Sequence, residues 1–536
     1  QSAELLPALE GLDPEQRTAA ETLEGPVLVV AGPGAGKTRV LTWRIARLVA
    51  EKNVKPDSVL ALTFTNRAAD EMRKRLKETL GDAVSKLFIG TFHSLAYRLL
   101  REFGRHVGLP DDWHLVPDDE ARNSEKTAGK GNGKPVTMDA LIPLAVHLLS
   151  TVQAVGNVCR QRWQWVSVDE YQDLDETQYR LLRELVPTGG NIFAIGDPDQ
   201  AIYGFRGSDV GFFRRFTEDH PGARVIILKR NYRSGRKLVR AALQAIRPAT
   251  LVPDRILESA LHDDLPVTIH EAASDRGEAQ FVADAIERII GGHSFLSVDS
   301  GRADGGPEAE GLSFSDFAVL YRTEAQSGLI EEALSRSGMP FQRRLHRRLS
   351  DNPMFDELLN LCVSSAWSRR RIEKMLAEHF SDQAAGAEAK RLVAWMLSAA
   401  EQYGADSVMD QARLACDADA WDSRADRISL LTLHAAKGLE FPVVFITGCE
   451  DGILPLRFGK QAKPGSEDEE RRLLFVGMTR ARRILIISHA ARRLWRGRVR
   501  PMKPSPFLDA IEESLLKRQK AAPRTGRPHE MQLTLF

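Results

Sequence analysis

The chain has 536 residues, enough for three or four packed domains, which excludes a single small binding module. Apolar residues make up 43% of it and charged residues 27%, an ordinary globular balance that excludes wholesale disorder and fibrous repeats. The 74 Lys and Arg nearly cancel the 73 Asp and Glu, so attraction to a polyanion must come from how charge is distributed rather than from its total.

In chain order, short β-type apolar runs alternate with longer helical patterns: Val27–Val30, Val59–Phe64, Lys86–Gly90, Val166–Val168, Ile192–Ile195 and Val225–Leu228. That rhythm predicts a parallel α/β sheet. A second series, Val267–His270, Phe317–Tyr321, Ile428–Leu433, Val443–Thr447 and Ile484–Ser488, predicts a second α/β core, with helical stretches such as Glu278–Ile290 between its strands. Each core is interrupted by a segment without clear strands, read as an inserted helical subdomain. The first, 107–156, carries the breaker-rich run from Gly129 to Pro135; the second is 355–426. The expected division is therefore a first core over 1–106 and 157–228, a second over 229–354 and 427–516, and a loose tail over 517–536. Residues 299–311 read as an exposed loop.

Cys159, Cys362, Cys416 and Cys449 lie far apart with no C-x-x-C pair, which argues against a zinc site, an iron–sulfur cluster or a disulfide framework. No apolar run approaches the ~20 residues that span a bilayer, and the opening segment has neither a basic n-region nor an apolar h-region. No membrane association is expected.

The strand Val27–Val30 leads into Ala31, Gly32, Pro33, Gly34, Ala35, Gly36, Lys37 and Thr38, then a helix from Val40, the setting that a phosphate loop requires. Glycines let backbone N–H groups close round phosphates, the helix N-terminus adds positive potential, Lys37 neutralises charge and the Thr38 hydroxyl can ligate Mg2+. The strict pattern has Gly where this chain has Ala31. Trp165–Val168 reads as a buried strand ending in Asp169 and Glu170, a pair in which the first carboxylate holds Mg2+ and the second takes a proton from the attacking water. Nucleotide hydrolysis is the expected chemistry. No N-K-x-D or L-S-G-G-Q run is present, which disfavours a GTPase or a transporter-type ATPase. From Arg480 to Lys503 there are nine Lys or Arg and no acid, with Trp495 among them, either a solvated face or a phosphate-contacting strip.

The wording of several segments resembles the superfamily-1 helicases of the UvrD/PcrA/Rep group, in order and across both cores. Leu12-Asp-Pro-Glu-Gln16 is similar to the family's adenine-reading segment, with Gln16 on the base edge and Arg39 after the loop threonine. Thr63-Phe-Thr-Asn-Arg-Ala-Ala69 and Gly90-Thr-Phe-His-Ser94 resemble its first DNA-contacting motifs, and Val168-Asp-Glu-Tyr-Gln-Asp173 its Walker B segment. Gly196-Asp-Pro-Asp-Gln-Ala-Ile-Tyr-Gly-Phe-Arg-Gly207 resembles motif III, which implies that Gln200 senses the γ-phosphate while Tyr203 and Phe205 face the strand; the family usually has Trp at Phe205. Asn231-Tyr-Arg-Ser234 resembles motif IV, with Tyr232 under adenine and Arg233 on the γ-phosphate. Thr432–Phe441 matches motif V, implying Glu440 near the ribose and His434 on DNA, and Glu469–Arg480 matches motif VI, with Arg480 as the arginine finger.

The resemblance implies two RecA-like cores of the P-loop NTPase type, with Arg233 and Arg480 supplied by the second core and ATP between the cores. It implies ATP and Mg2+ as cofactors, and 3′ to 5′ movement on single-stranded DNA gripped by Phe64, His93, Tyr203, Phe205 and His434. Trp495 would stand on a hairpin at the single-strand/duplex junction. Both insertions are shorter than is usual in the family, so a translocase that strips proteins from DNA with little unwinding is the first alternative and an ATP-gated DNA-binding scaffold the second. The last five residues, Gln532-Leu-Thr-Leu-Phe536, resemble the peptide by which bacterial proteins dock on the replication sliding clamp, with Leu535 and Phe536 as apolar anchors. The implied setting is the bacterial cytoplasm, at the nucleoid.

Overall fold

The computed structural model describes residues 11–116, 134–291, 311–343, 349–379, 383–415, 425–457, 466–495 and 497–520. The run from Gly129 to Gly133, nearly all of the 299–311 loop and the clamp-like terminus lie outside them. The chain divides into two compact units. Unit 1 is Gln1–Val239, Ile246–Asp263 and Arg343–Ala425; unit 2 is Arg240–Ala245, Asp264–Gln342 and Asp426–Phe536.

Unit 1 is built on β1 (Val27–Ala31), β2 (Val59–Thr63), β3 (Phe88–Thr91), β6 (Trp165–Val168), β7 (Asn191–Gly196) and β8 (Arg224–Leu228). They form one parallel sheet in the order β3-β2-β6-β7-β1-β8. Successive side chains along β1 enter different cores. Leu28 packs with Leu60, Phe92 and Leu99 on one face, while Val27 and Val29 pack with Val40, Ile45 and Met72 on the other. A sheet buried on both faces needs the near-continuous Val, Leu and Ile runs that the sequence supplies. Two short strands that the sequence did not reveal, β4 (His114–Val116) and β5 (Pro135–Thr137), pair beside the helix Met138–Thr151 in the first insertion. At three residues each, they are too short to show a period-2 pattern.

The second insertion is helical, as expected: Phe355–Ser364, Arg369–His379, Gln383–Tyr403 and Val408–Leu414, around a core that includes Phe355, Leu358, Ile372, Leu392 and Met396. It groups with unit 1. Tyr97 Oη and Arg101 Nη2 both donate to Asp410 Oδ2, at 2.8 and 2.9 Å, and Asn66 Nδ2 reaches the Leu414 carbonyl at 3.4 Å. Sequence order attaches this segment to the second core, but these side chains tie it to the first.

β9 (Arg230–Asn231) and β10 (Glu258–Ser259) pair locally in unit 1. Unit 2 carries β11 (Val267–Ala272), β12 (Phe317–Tyr321), β13 (Phe341–Arg343), β14 (Ile428–Thr432), β15 (Phe441–Ile446) and β16 (Ala481–Ala490). A hairpin follows, β17 (Arg492–Trp495) against β18 (Arg498–Pro501), and then β19 (Leu516–Lys520). The sheet order is β13-β14-β12-β15-β16-β11-β19. β19 corrects the expected tail boundary at 517, since Lys517 to Lys520 pair in parallel with Thr268 to Glu271. Its basic, unperiodic residues lie on the sheet edge, where half-exposed side chains need no apolar alternation.

On β11, the His270 ring stacks on Phe281 with centroids 3.4 Å apart and planes within 4°. Its Nδ1 has no hydrogen-bond partner among the described residues, and burial pushes the imidazole down to about 4. Free histidine titrates near ~6.5, so as pH falls from there the unfolded chain takes the proton first and unit 2 loses stability down to about pH 4. His489 on β16 is pushed down by burial as well and adds in the same direction. The urea midpoint of unit 2 is expected to fall across this window, and His270→Gln to flatten the slope; equal slopes for wild type and variant would contradict the assignment.

Among the described residues no single helix is long and apolar enough to cross a membrane.

Candidate nucleotide and nucleic-acid sites

The phosphate loop follows β1 directly. Gly36, at φ 78°, caps the helix Lys37–Ala50, and Gly34 stands at φ 69°, both in the left-handed region that suits glycine. Space demands glycine as well. A Cβ on Gly34 would lie 2.7 Å from Arg233 Cβ, and one on Gly36 would lie 2.7 Å from Gln16 Nε2.

Gln16 is buried at the start of the helix Pro14–Glu21. Its backbone N–H donates to Asp13 Oδ1 at 2.7 Å, its Oε1 accepts from the Asp13 N–H at 3.2 Å, and its Nε2 donates to the Ala35 carbonyl at 2.9 Å. Gln16 is therefore fastened to the phosphate loop itself. Motif IV is fastened there too. Asn231 Nδ2 donates to the Pro33 carbonyl at 2.7 Å, the Tyr232 N–H donates to the Gly34 carbonyl at 2.9 Å, and Tyr232 Oη donates to Asp13 Oδ2 at 2.7 Å. Tyr232 and Arg233 thus belong to unit 1, a correction to their expected place in the second core. Asn231, missed in the sequence reading, also accepts the N–H groups of Arg233 and Ser234 at 2.9 and 2.8 Å, a local turn of the kind an Asn side chain makes with the backbone two residues on.

Lys37 Nζ lies 3.0 Å from each carboxylate oxygen of Glu170. Glu170 stands at φ 51°, a left-handed backbone for a residue with a Cβ, which is the kind of local strain that gathers at functional sites. Beside it, Asp169 is buried at the end of β6. Burial first, then the neighbouring Glu170 charge, push the Asp169 carboxyl up to about 7 against the pull of Lys37. The network continues inward: Gln172 Nε2 donates to Glu170 Oε2 at 2.6 Å, Gln172 Oε1 accepts the Asp197 N–H at 2.9 Å, and Gln200 Nε2 donates to Asp197 Oδ2 at 2.7 Å. Ala31, Gly32, Pro33, Ala35 and Lys37 are thereby brought together with Asp169, Glu170 and Gln200. Thr38 follows Lys37 in the first helical turn, and Arg39 is exposed.

Motif III presents an aromatic face. Phe205 is 64% exposed, its ring 6.2 Å from that of Tyr203, and the Arg206 guanidinium lies 5.8 Å from the Tyr203 centroid and 5.6 Å from that of Phe205. His93 and Arg206 line one hollow with Asp175, Glu176 and Thr177. Phe64 is half buried, edge-on to Phe92 and packed against the core, so less of its ring is open than of Phe205.

In unit 2, His434 is half buried after β14, and Glu440 is exposed and ion-paired with Arg482. Arg480 is 2% exposed. Its Nε donates to the Val476 carbonyl at 2.9 Å, Nη1 to the Leu439 carbonyl at 3.1 Å and Nη2 to Thr479 Oγ1 at 3.2 Å. Trp495 ends β17 opposite Arg498, on the expected hairpin. The base of that hairpin is pinned by Arg493, whose Nε and Nη2 each reach Glu450 at 2.7 Å and whose Nη2 also meets Glu278.

Two family models match the chain. The UvrD/REP helicase N-terminal domain covers residues 12–137 and 120–221, and the UvrD-like helicase C-terminal domain covers 226–349 and 394–492. Similar curated proteins are each named ATP-dependent DNA helicase PcrA. That of Staphylococcus aureus (strain Mu50 / ATCC 700699) is 28% identical over 96% of this chain and 88% of its own length. That of Leuconostoc citreum is 29% identical over 95% and 85%, and that of Bacillus subtilis (strain 168) 29% over 98% and 89%. The first two alignments run over 662 residues against 536 in this chain, so the relatives carry residues that it lacks. The C-terminal match breaks between 349 and 394, a gap that takes in the first part of the second insertion.

Proposed function

We infer, from the premise that this chain belongs to the UvrD-like helicases, that it is an ATP-dependent DNA helicase whose motor runs 3′ to 5′ on single-stranded DNA in repair or replication. The observation that carries the reading is the hydrolytic set at the phosphate loop: Lys37 held on both oxygens of Glu170, beside the buried Asp169.

ATP would be bound by Gly32 to Arg39 of the loop, by Gln16 and Tyr232 at the base, and by Arg233, Gln200, Arg480 and Glu440. The donor set fits Mg2+, because the Thr38 hydroxyl and the buried Asp169 carboxylate are both hard oxygen donors, the kind that this cation takes together with substrate phosphates. Thr38 and Asp169 would hold that ion, which supplies charge neutralisation on the phosphates. Glu170 would take the proton of the attacking water, since an ionised carboxylate whose Lys37 partner is drawn to the phosphates is free to accept one.

DNA would be gripped by stacking on Tyr203 and Phe205, with Arg206 adding a cation over both rings; each stacked base contributes ~1–3 kcal/mol. His93, Phe64 and His434 are further strand contacts, and Trp495 meets the duplex at a junction. The terminal peptide Gln532–Phe536 is proposed to dock on the bacterial sliding clamp, and the protein to work at the nucleoid.

Partial duplexes with a single-stranded 3′ or 5′ tail test the direction. ATP-dependent release of the short strand is expected from the 3′-tailed duplex only; release from the 5′-tailed one alone would reverse the polarity. The residues missing relative to its relatives favour one second reading, a translocase with weak unwinding. It would displace streptavidin from biotinylated single strands while leaving both duplexes paired.

A further inference from the structure

We propose that Arg255 is a positioning residue for ATP hydrolysis, clamping Asp197 and Asp199 under the phosphate loop and, through Asp197, aiming the amide of Gln200. The proposal deepens the helicase reading above and rests on it.

Arg255 lies in the segment after motif IV that the sequence reading assigned no role. Its side chain is 7% exposed and both carboxylates are fully buried. Nη1 donates to Asp197 Oδ1 at 2.8 Å and to Asp199 Oδ2 at 2.5 Å, and Nη2 donates to Asp197 Oδ2 at 2.8 Å. Thr250 Oγ1 and the Leu251 N–H add bonds of 2.6 Å each to Asp199, so the 250–255 segment closes over motif III from one side. The guanidinium also touches the nucleotide loop: a Cβ on Gly32 would lie 2.9 Å from Arg255 Nη2.

Asp197 is where this clamp becomes functional. Its Oδ2 takes both Arg255 Nη2 and Gln200 Nε2, and its N–H donates to Gln172, whose own amide donates to Glu170. The Gln200 amide is thereby held by a carboxylate that cannot turn without breaking the two-pronged Arg255 contact. Burial would raise Asp197, yet the Arg255 guanidinium holds it below the usual carboxylate range; Asp199 is raised by burial and by the Asp197 charge. Without the cation, two interior carboxylates lose the one positive charge they share and keep only neutral donors, an unfavourable arrangement that the motif III loop would relieve by moving. Lysine cannot replace the fork, because a single ammonium cannot hold Asp197 by both oxygens.

The test uses the full chain as wild type, Arg255→Met, Arg255→Lys and the pair Arg255→Met/Asp199→Asn. DNA-stimulated ATP hydrolysis gives kcat and KM, fluorescent ADP reports the loop, and urea midpoints report folding. Displacing a group in an active site by about 1 Å costs about 100-fold in rate, and that loss of kcat is expected for Arg255→Met, with KM for ATP and ADP affinity within about threefold of wild type. Arg255→Lys should fall between, and Asp199→Asn should restore about tenfold to Arg255→Met by removing the second uncompensated carboxylate. A kcat within about threefold of wild type for Arg255→Met overturns the proposal. So does a loss that tracks ADP binding and the urea midpoint with no gain in the double variant. Should Arg255→Met fail to fold, the Lys variant decides, and wild-type kcat there overturns it. Absence of DNA-stimulated turnover in the wild type instead defeats the helicase reading, and the proposal with it.

Discussion

Glu170→Gln is expected to lower DNA-stimulated ATP turnover by about 10²–10⁴-fold while leaving nucleotide affinity unchanged or raised. Glu170 and Lys37 hold each other, both oxygens 3.0 Å from the ammonium. Bound ATP would compete for Lys37 with its phosphate charge, and the carboxylate that loses this partner would become the base for the attacking water. Glutamine keeps the shape and can still accept the Gln172 amide, but it cannot take a proton, and it no longer attracts Lys37 away from phosphate. The loss should therefore appear in kcat and not in binding. Phosphate release at saturating single-stranded DNA and fluorescent ATP-analogue titration separate the two quantities, at one stated salt concentration because phosphate contacts are salt-sensitive. Turnover within about tenfold of wild type would remove Glu170 from the chemistry.

The phosphate loop, the Asp169–Glu170 strand end and the two alternating series of strands were legible because each is local. A run such as Val27–Val30 followed by Gly-rich backbone and an amphipathic helix carries its strand, turn and helix signals within about twenty residues. The misses are non-local or short. Arg255 sits in no periodic element and becomes meaningful only beside Asp197 and Asp199, more than fifty residues away in the chain. Motif IV reads as the start of a second core because it follows the last strand of the first, yet Asn231 and Tyr232 bind the carbonyls of Pro33 and Gly34. The 355–415 helices were legible as helices, but their attachment through Asp410 to Tyr97 and Arg101 depends on pairings that sequence order does not encode. β19 was missed for another reason: an edge strand of Leu-Lys-Arg-Gln-Lys lacks the alternation that burial of one face would impose.

Arg480→Lys and Arg480→Ala are both expected to reduce DNA-stimulated kcat by about 10³–10⁵-fold, the range that a phosphate-directed arginine contributes in other nucleotide hydrolases. Arg480 follows the helix Ser466–Met478, and its guanidinium is fixed by the carbonyls of Val476 and Leu439 and by the Thr479 hydroxyl. Leu439 immediately precedes Glu440, so the Leu439 bond ties motif VI to motif V within unit 2. Such bracing suits a cation that must stabilise charge developing in a transition state, because a donor already oriented needs no reorganisation when the charge appears. Alanine leaves the buried Val476 and Leu439 carbonyls without this donor and should also destabilise unit 2 by about 1–3 kcal/mol, so its kcat must be read on protein shown to be folded by its urea midpoint. Lysine separates the two roles. It keeps the positive charge but offers a point donor in place of the planar fork, so a purely electrostatic role would leave most of the turnover intact, whereas a directional contact loses it. Binding of single-stranded DNA without nucleotide should stay within about threefold for both variants. Wild-type turnover by Arg480→Lys would contradict the directional role, and equal loss of turnover and of DNA binding would place Arg480 in the fold of unit 2 instead of the hydrolysis step.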